Sequence, residues 1–267
     1  NLMVGRPVDL TFNAEKPKIG NTVLKISNLT VLNQVGRAVV KNVSLEIRAG
    51  EILAIAGVQG NGQSELVKAI MNLEENVTGS IEIFGQQLIG KSVNKTIHSG
   101  VAYIPESREL DGLVGSFTIA ENLILDTHDL SPFSKLGQLS ANSINHSANK
   151  LKGEFDIRAQ SIFDTANSLS GGNKQKVVLA RELSREVKVV VASQPTRGLD
   201  VGSIEFVHER LLAEAKSGRA VLLVSTELDE VSALADRIAV IYRGEILAIV
   251  DSEVSREKLG LMMAGIK

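Results

Sequence analysis

The chain has 267 residues, enough for one large core or one core plus a subdomain. Its 29 basic and 31 acidic residues leave a formal net charge of −2. That balance lacks the basic excess of a nucleic-acid binder, so no nucleic-acid partner is expected. Cysteine is absent, which excludes a disulfide framework and thiolate metal sites and fits a reducing compartment. The apolar runs, such as Ala220 to Val224, are far too short to span a bilayer. No signal-peptide pattern is visible at the start. The first residue is Asn, so a fragment of a longer protein is expected.

Residues 1–20 hold two prolines, two glycines and little periodicity, and read as an interdomain linker. Val23, Leu24, Ile26 and Leu29 predict a strand over Thr22 to Leu29. Val43 to Ile47 alternates and predicts another, and Ile81 to Phe84 a third, together a small antiparallel sheet. Ile52-Leu53-Ala54-Ile55-Ala56-Gly57 is continuously apolar, as in a strand buried on both faces of a parallel sheet. Similar runs recur at Val101 to Ile104, Val187 to Ala192, Ala220 to Val224 and Ile238 to Ile241. Helical periodicity fills Glu65 to Leu73, Gly172 to Ser184, Ser203 to Ala215 and Leu228 to Ala235. This alternation predicts an α/β core around a parallel sheet. Residues 118–168 carry helix-like pieces at Ile119 to Leu125 and Ile144 to Phe155 without a buried strand, and read as a helical insertion.

Gly57-Val58-Gln59-Gly60-Asn61-Gly62-Gln63-Ser64 follows a buried strand and opens a helix. This is the setting of the phosphate-binding loop G-x-x-x-x-G-K-[ST]. The glycines let backbone N–H groups form a concave nest, and the helix N-terminus adds positive potential. Gln63 stands where the lysine belongs. A charged hydrogen bond to phosphate is worth about 1.5–3 kcal/mol, so phosphate affinity should fall without vanishing. Ser64 still offers a hydroxyl for Mg²⁺. On these eight residues alone, a glycine-rich turn without a ligand is the competing reading.

Further motifs extend the pattern. Leu169-Ser170-Gly171-Gly172-Asn173-Lys174-Gln175 is followed 18 residues later by Ser193-Gln194-Pro195-Thr196-Arg197-Gly198-Leu199-Asp200. With the loop at 57–64, the segment Tyr103-Ile104-Pro105-Glu106-Ser107 and Ser225-Thr226-Glu227-Leu228, the chain resembles an ABC transporter nucleotide-binding domain over about residues 21 to 267. The resemblance implies a P-loop ATPase core with a parallel sheet, a small antiparallel β-subdomain and an inserted helical subdomain at about 118–185. It makes 169–175 the signature, 187–194 the Walker B strand, 198–200 the D-loop and Glu106 the Q-loop position. Gly172 to Gln175, Pro195 to Gly202 and Leu2-Met3-Val4-Gly5-Arg6 look like the C-terminal half of the tandem ATPase of simple-sugar and nucleoside importers. That implies an N-terminal nucleotide-binding domain on the same polypeptide, transmembrane permease subunits, and a peripheral place on the cytoplasmic face of the membrane.

The departures fall on the chemistry. Gln63 replaces the loop lysine, Ser193 the Mg²⁺-holding aspartate and Gln194 the glutamate that polarises water. Thr226, 32 residues after Gln194, occupies the switch-histidine position. No aromatic lies between Phe12 and Phe84, the interval that supplies the ring stacked on adenine. A general base contributes about 10²–10⁴ in rate, so hydrolysis at this site is expected to be close to absent. ATP and Mg²⁺ are expected to bind weakly or not at all through Gly57, Gly60, Asn61, Gly62, Gln63, Ser64 and Glu106. Ser170, Gly171, Gly172, Gln175 and Asp200 are intact, and the resemblance directs them at ATP held by a partner domain.

Three functions compete at this stage. One is the degenerate half of an importer's ATP-binding subunit. Another is a non-catalytic ABC-fold dimerisation or nucleotide-sensing module. The third is a soluble ATPase acting on DNA or ribosomes, which lacks a coiled-coil insertion or basic excess. His98, His128, His146 and His208 match no metal spacing and are expected on surfaces or helix faces. Arg108 to Leu113 is either a charged loop or part of the surface that receives a permease helix. Arg197 and Arg237 are expected to be structural or interface residues.

Overall fold

The computed structural model describes residues 19–266, so the linker expected at 1–20 lies almost wholly outside the described residues. In chain order the elements begin with β1 (Thr22–Leu32), β2 (Ala38–Arg48), β3 (Ile52–Ala56), α1 (Gln63–Ile70) and β4 (Val77–Ile83). Then come β5 (Gln86–Gln87), α2 (Val93–His98), β6 (Val101–Ile104), α3 (Ile119–Leu123), β7 (Ser134–Lys135) and β8 (Gln138–Leu139). They continue with α4 (Ala141–Glu154), α5 (Gly171–Leu183), β9 (Val189–Ser193), α6 (Val201–Lys216) and β10 (Ala220–Ser225). The chain closes with α7 (Leu228–Leu234), β11 (Arg237–Tyr242), β12 (Glu245–Asp251) and α8 (Arg256–Met263).

These elements form two compact units. The first takes the described residues through Tyr103, Val187–Gln194 and the described residues from His208 onward; the second takes Ile104–Glu186 and Pro195–Val207.

The first unit holds two sheets. One is antiparallel, in the order β2-β1-β4-β5; the other has six strands in the order β12-β11-β3-β10-β9-β6. Strands β11, β3, β10 and β9 run parallel. Strands β3, β9 and β10 are buried at every position, which is why they read as unbroken apolar runs. The sheet is not wholly parallel, because β12 pairs antiparallel with β11. The two are joined through Arg243 (φ 48°) and Gly244 (φ 85°), both left-handed, the backbone of a type I′ hairpin. Helix α1 packs Leu66, Val67 and Ile70 into the core that β1, β2 and β3 share.

The second unit is mainly helical. Helix α3 starts at a capping box in which the Thr118 hydroxyl accepts from the Glu121 N–H and the Glu121 carboxylate accepts from the Thr118 N–H. Its core includes Ile119, Leu123, Leu151, Phe155, Val177 and Val178, all buried. Phe155 meets Phe206 edge to face with ring centres 6.5 Å apart. The short hairpin β7–β8 is exposed and adds no buried strand.

Candidate functional site

The phosphate loop belongs to the first unit. Strand β3 delivers Gly57, and α1 begins after Gly62, whose φ is 100°. Gln63 is buried and turned back into the loop. Its Nε2 donates to the Val58 carbonyl at 3.0 Å and its Oε1 accepts from the Asn61 N–H at 3.0 Å. The carboxamide thus takes up one of the backbone donors that a phosphate nest would offer. Asn61 is also committed to the β11–β12 turn: its Oδ1 accepts from the Arg243 N–H at 2.9 Å and its carbonyl from the Gly244 N–H at 3.0 Å. Nothing in the sequence spacing announces that clamp across 182 residues.

Beside the loop lies a cleft of about 680 Å³ lined by Asn33, Arg37, Lys41, Gly60, Asn61, Glu65 and Arg243, among others. Its lining contains three cations and one carboxylate and no aromatic ring.

Ser193 ends β9 and Gln194 follows it. Ser193 is 3% exposed. Gln194 has a left-handed backbone (φ 48°). Its Oε1 accepts from both the N–H and the hydroxyl of Thr226, each at 3.3 Å. Gln194 and Thr226 are thereby joined as a neutral pair. Among the described residues, no group of three or more His, Asp or Glu side chains could hold a metal ion.

His98, His128 and His146 are exposed. His208 is not on the surface: it is buried, with Nε2 3.1 Å from a Glu230 carboxylate oxygen. Val207, Leu211 and Ala215 mark the same inward face of α6, which the sequence periodicity did not separate from the outer one. Arg237 is structural, with its Nε 3.0 Å from Glu51. Burial raises the Glu51 carboxyl above its ordinary range against the pull of Arg48 and Arg237.

The second unit carries the signature. Ser170 caps α5, its Oγ accepting from the Asn173 N–H at 3.4 Å and from Asn173 Nδ2 at 3.0 Å. A Cβ on Gly172 would lie 2.1 Å from Ser203 Oγ and 3.2 Å from Asp200 Oδ2, so only glycine lets α6 start there. Asp200 caps α6, accepting from the Ser203 hydroxyl at 2.7 Å and the Ser203 N–H at 3.0 Å. These bonds hold its carboxyl below the usual range. Gln175 is 2% exposed. Glu106 is ion-paired with Arg197. The guanidinium of Arg108 rests on Gly171: a Cβ there would stand 3.0 Å from Nη2. The sequence assigned Arg108 no role at the signature, because 63 residues separate it from Gly171 and only the fold brings them together.

The family model for ABC transporters matches residues 40–197. The chain belongs to the ABC transporter family. Among curated relatives, this ABC domain is 44% identical over 265 residues to the nucleoside import ATP-binding protein NupA of Lactococcus lactis subsp. cremoris, covering 99% of the chain and 52% of that protein. It is 43% identical over 266 residues to the guanosine import ATP-binding protein NupO of Bacillus subtilis, covering 99% and 52%. With the ribose import ATP-binding protein RbsA 2 of Rubrobacter xylanophilus it shares 35% over 267 residues, covering 100% and 50%. The chain spans about half the length of the curated relatives it matches. Its fold matches a dimeric ATP-binding cassette bound to ADP and phosphate with a TM-score of 0.73, at 22% identity, covering 87% of this chain and 100% of that one. A nucleotide-free cassette matches with a TM-score of 0.75, at 20% identity, covering 91% and 96%. Among the described residues, no helix is long and apolar enough to cross a membrane.

Proposed function

We propose that this ABC domain is the degenerate C-terminal half of the ATP-binding subunit of a nucleoside or sugar importer. It supplies its signature to ATP held by the other nucleotide-binding domain of the same polypeptide. The observation that carries the reading is Gln63, whose carboxamide is already bonded to Val58 and Asn61 within its own phosphate loop. A loop so filled fits phosphate poorly, and Ser193 and Gln194 bring no charge for Mg²⁺, although Ser64 keeps its hydroxyl. Glu106, at the Q-loop position, is engaged by Arg197. No catalytic step is therefore assigned to this domain's own site.

The signature side is different in kind. The Ser170 hydroxyl accepts from the turn it caps, so its own proton is left to donate to a terminal phosphate oxygen. The first N–H groups of α5 add the positive end of the helix. Gly171 and Asp200 flank it on the face offered to the partner, while Gly172 and Gln175, both buried, support that face from beneath. Permease subunits on the cytoplasmic side of the membrane would receive the resulting motion, with this domain bound peripherally. The names of the relatives support nucleosides first and sugars second.

Phosphate release by the isolated domain tests the reading. No turnover above background is expected at any protein concentration. Robust turnover that Gln194→Ala abolishes would sink it.

A further inference from the structure

We propose that Arg108 is a phosphate-contacting residue of the signature face, presenting a guanidinium to the terminal phosphate of a nucleoside triphosphate held by another domain. The inference rests on the reading above and names a residue that neither the signature pattern nor the comparisons single out.

Position comes first. A Cβ on Gly171 would lie 3.0 Å from Arg108 Nη2 and 3.6 Å from both Cζ and Nε, so the guanidinium lies on the signature backbone itself. On its other side the same Nη2 is 3.9 Å from the Cβ position of Gly198. Nη1 donates to the Arg197 carbonyl at 2.9 Å, which fixes the orientation of the plane. Gly171 thus gives the cation room, and a Cβ there would press on the guanidinium.

Charge comes second. Three carboxylates stand nearby in sequence or on the same face, and each is already engaged. Glu106 pairs with Arg197, Glu109 with Lys174 at 2.8 Å, and Asp200 accepts from Ser203. Among the described residues, none forms an ion pair with Arg108. Its Nε is shielded from solvent and has no hydrogen-bond partner. Glu109 feels the charge of Arg108 but is hydrogen-bonded to Lys174, so a guanidinium without an ion pair of its own, held beside the turn that Ser170 caps, suits a phosphate oxygen.

The bland alternative is that Arg108 only ties the 107–112 segment to the Arg197 carbonyl. The two roles differ in what they discriminate. A clamp is indifferent to the ligand's last phosphate, whereas a contact to that phosphate separates ATP from ADP.

The test uses the full-length ATP-binding subunit and titrates a non-hydrolysable ATP analogue and ADP by calorimetry. The set is wild type, Arg108→Gln, Arg108→Lys and Ser170→Ala, each checked by thermal unfolding. Arg108→Gln is expected to weaken the ATP analogue by about ten- to a hundredfold and leave ADP unchanged. Arg108→Lys, which keeps the charge, is expected to lose less, and it carries the test if the Gln variant does not fold. Equal losses for ATP analogue and ADP, or none for either ligand in a folded Arg108 variant, overturn the inference. If Ser170→Ala still weakens the analogue in that case, only the role of Arg108 falls. If Ser170→Ala is silent too, the signature reading falls with it.

Discussion

The Oε1 of Gln194 accepts two hydrogen bonds from Thr226, from its N–H and its hydroxyl, each at 3.3 Å. One residue follows β9 and the other follows β10, neighbouring strands in parallel register in which Val224 stands opposite Ser193. The sheet therefore sets two strand ends side by side, and the side chains close the gap without charge. Gln194→Glu should not by itself give phosphate release, since Gln63 and Ser193 remain neutral. An assay of Gln194→Glu beside the triple variant Gln63→Lys/Ser193→Asp/Gln194→Glu checks this. Activity in the single variant would contradict it.

Gln63 bridges its own loop, so its removal has a structural as well as a binding consequence. Gln63→Ala leaves the Asn61 N–H and the Val58 carbonyl without their partner, at a cost of about 1–3 kcal/mol. Gln63→Lys frees the Asn61 N–H and restores a charge, and should tighten ATP binding by about ten- to a hundredfold. Urea unfolding reads the first effect and calorimetry the second.

Gly172 and Ser203 bring the starts of α5 and α6 together. Gly172→Ala places a methyl 2.1 Å from Ser203 Oγ and 3.1 Å from its Cβ. A loss of about 1–3 kcal/mol is expected from such overpacking. Adding Ser203→Ala removes the nearer clash and should recover part of the loss beyond the sum of the single effects. Strict additivity in the double-mutant cycle would show that the two residues do not press on each other.

Asp126 gives the second unit a pH signature. Its carboxylate lies 3.2 Å from Arg181 Nε and 3.4 Å from Arg185 Nε. Burial, followed by the neighbouring Glu182, pushes its pKa up to about 6 from an ordinary 3.8. The folded state then keeps a proton that the unfolded chain has already released. Stability from this group is present below about pH 4 and is lost as pH rises through about 6, with a slope of up to about 1.4 kcal/mol per unit. The stability of wild type relative to Asp126→Asn should therefore fall across that window. A difference that stays flat, or rises, between those limits would contradict the assignment.

Much of the fold could be read in advance because burial leaves a local trace. Ile52 to Ala56 and Val101 to Ile104 are apolar at every position, since a strand covered on both faces has no polar side to show. Strand β12 left no such trace. Its burial pattern is mostly half-exposed, and only the Arg243-Gly244 turn hints that it folds back on β11. His208 lies on a helix face, as expected, but on the buried one, because helical spacing gives a face but not which neighbour covers it. The loop pattern around Asn61 gives no sign that its side chain accepts from the Arg243 N–H of a turn distant in sequence.

The sequence by itself determined the family, the order of the motifs and the presence of Gln63, Ser193 and Gln194 where the resemblance expects Lys, Asp and Glu. Those are identities and spacings, and they survive without coordinates. Only the tertiary structure decided where the replacement groups point. Gln63 turns inward onto its own loop, Gln194 binds Thr226, and Arg108 lies on Gly171. Each depends on distances between segments far apart in the chain, which folding sets and local pattern cannot encode.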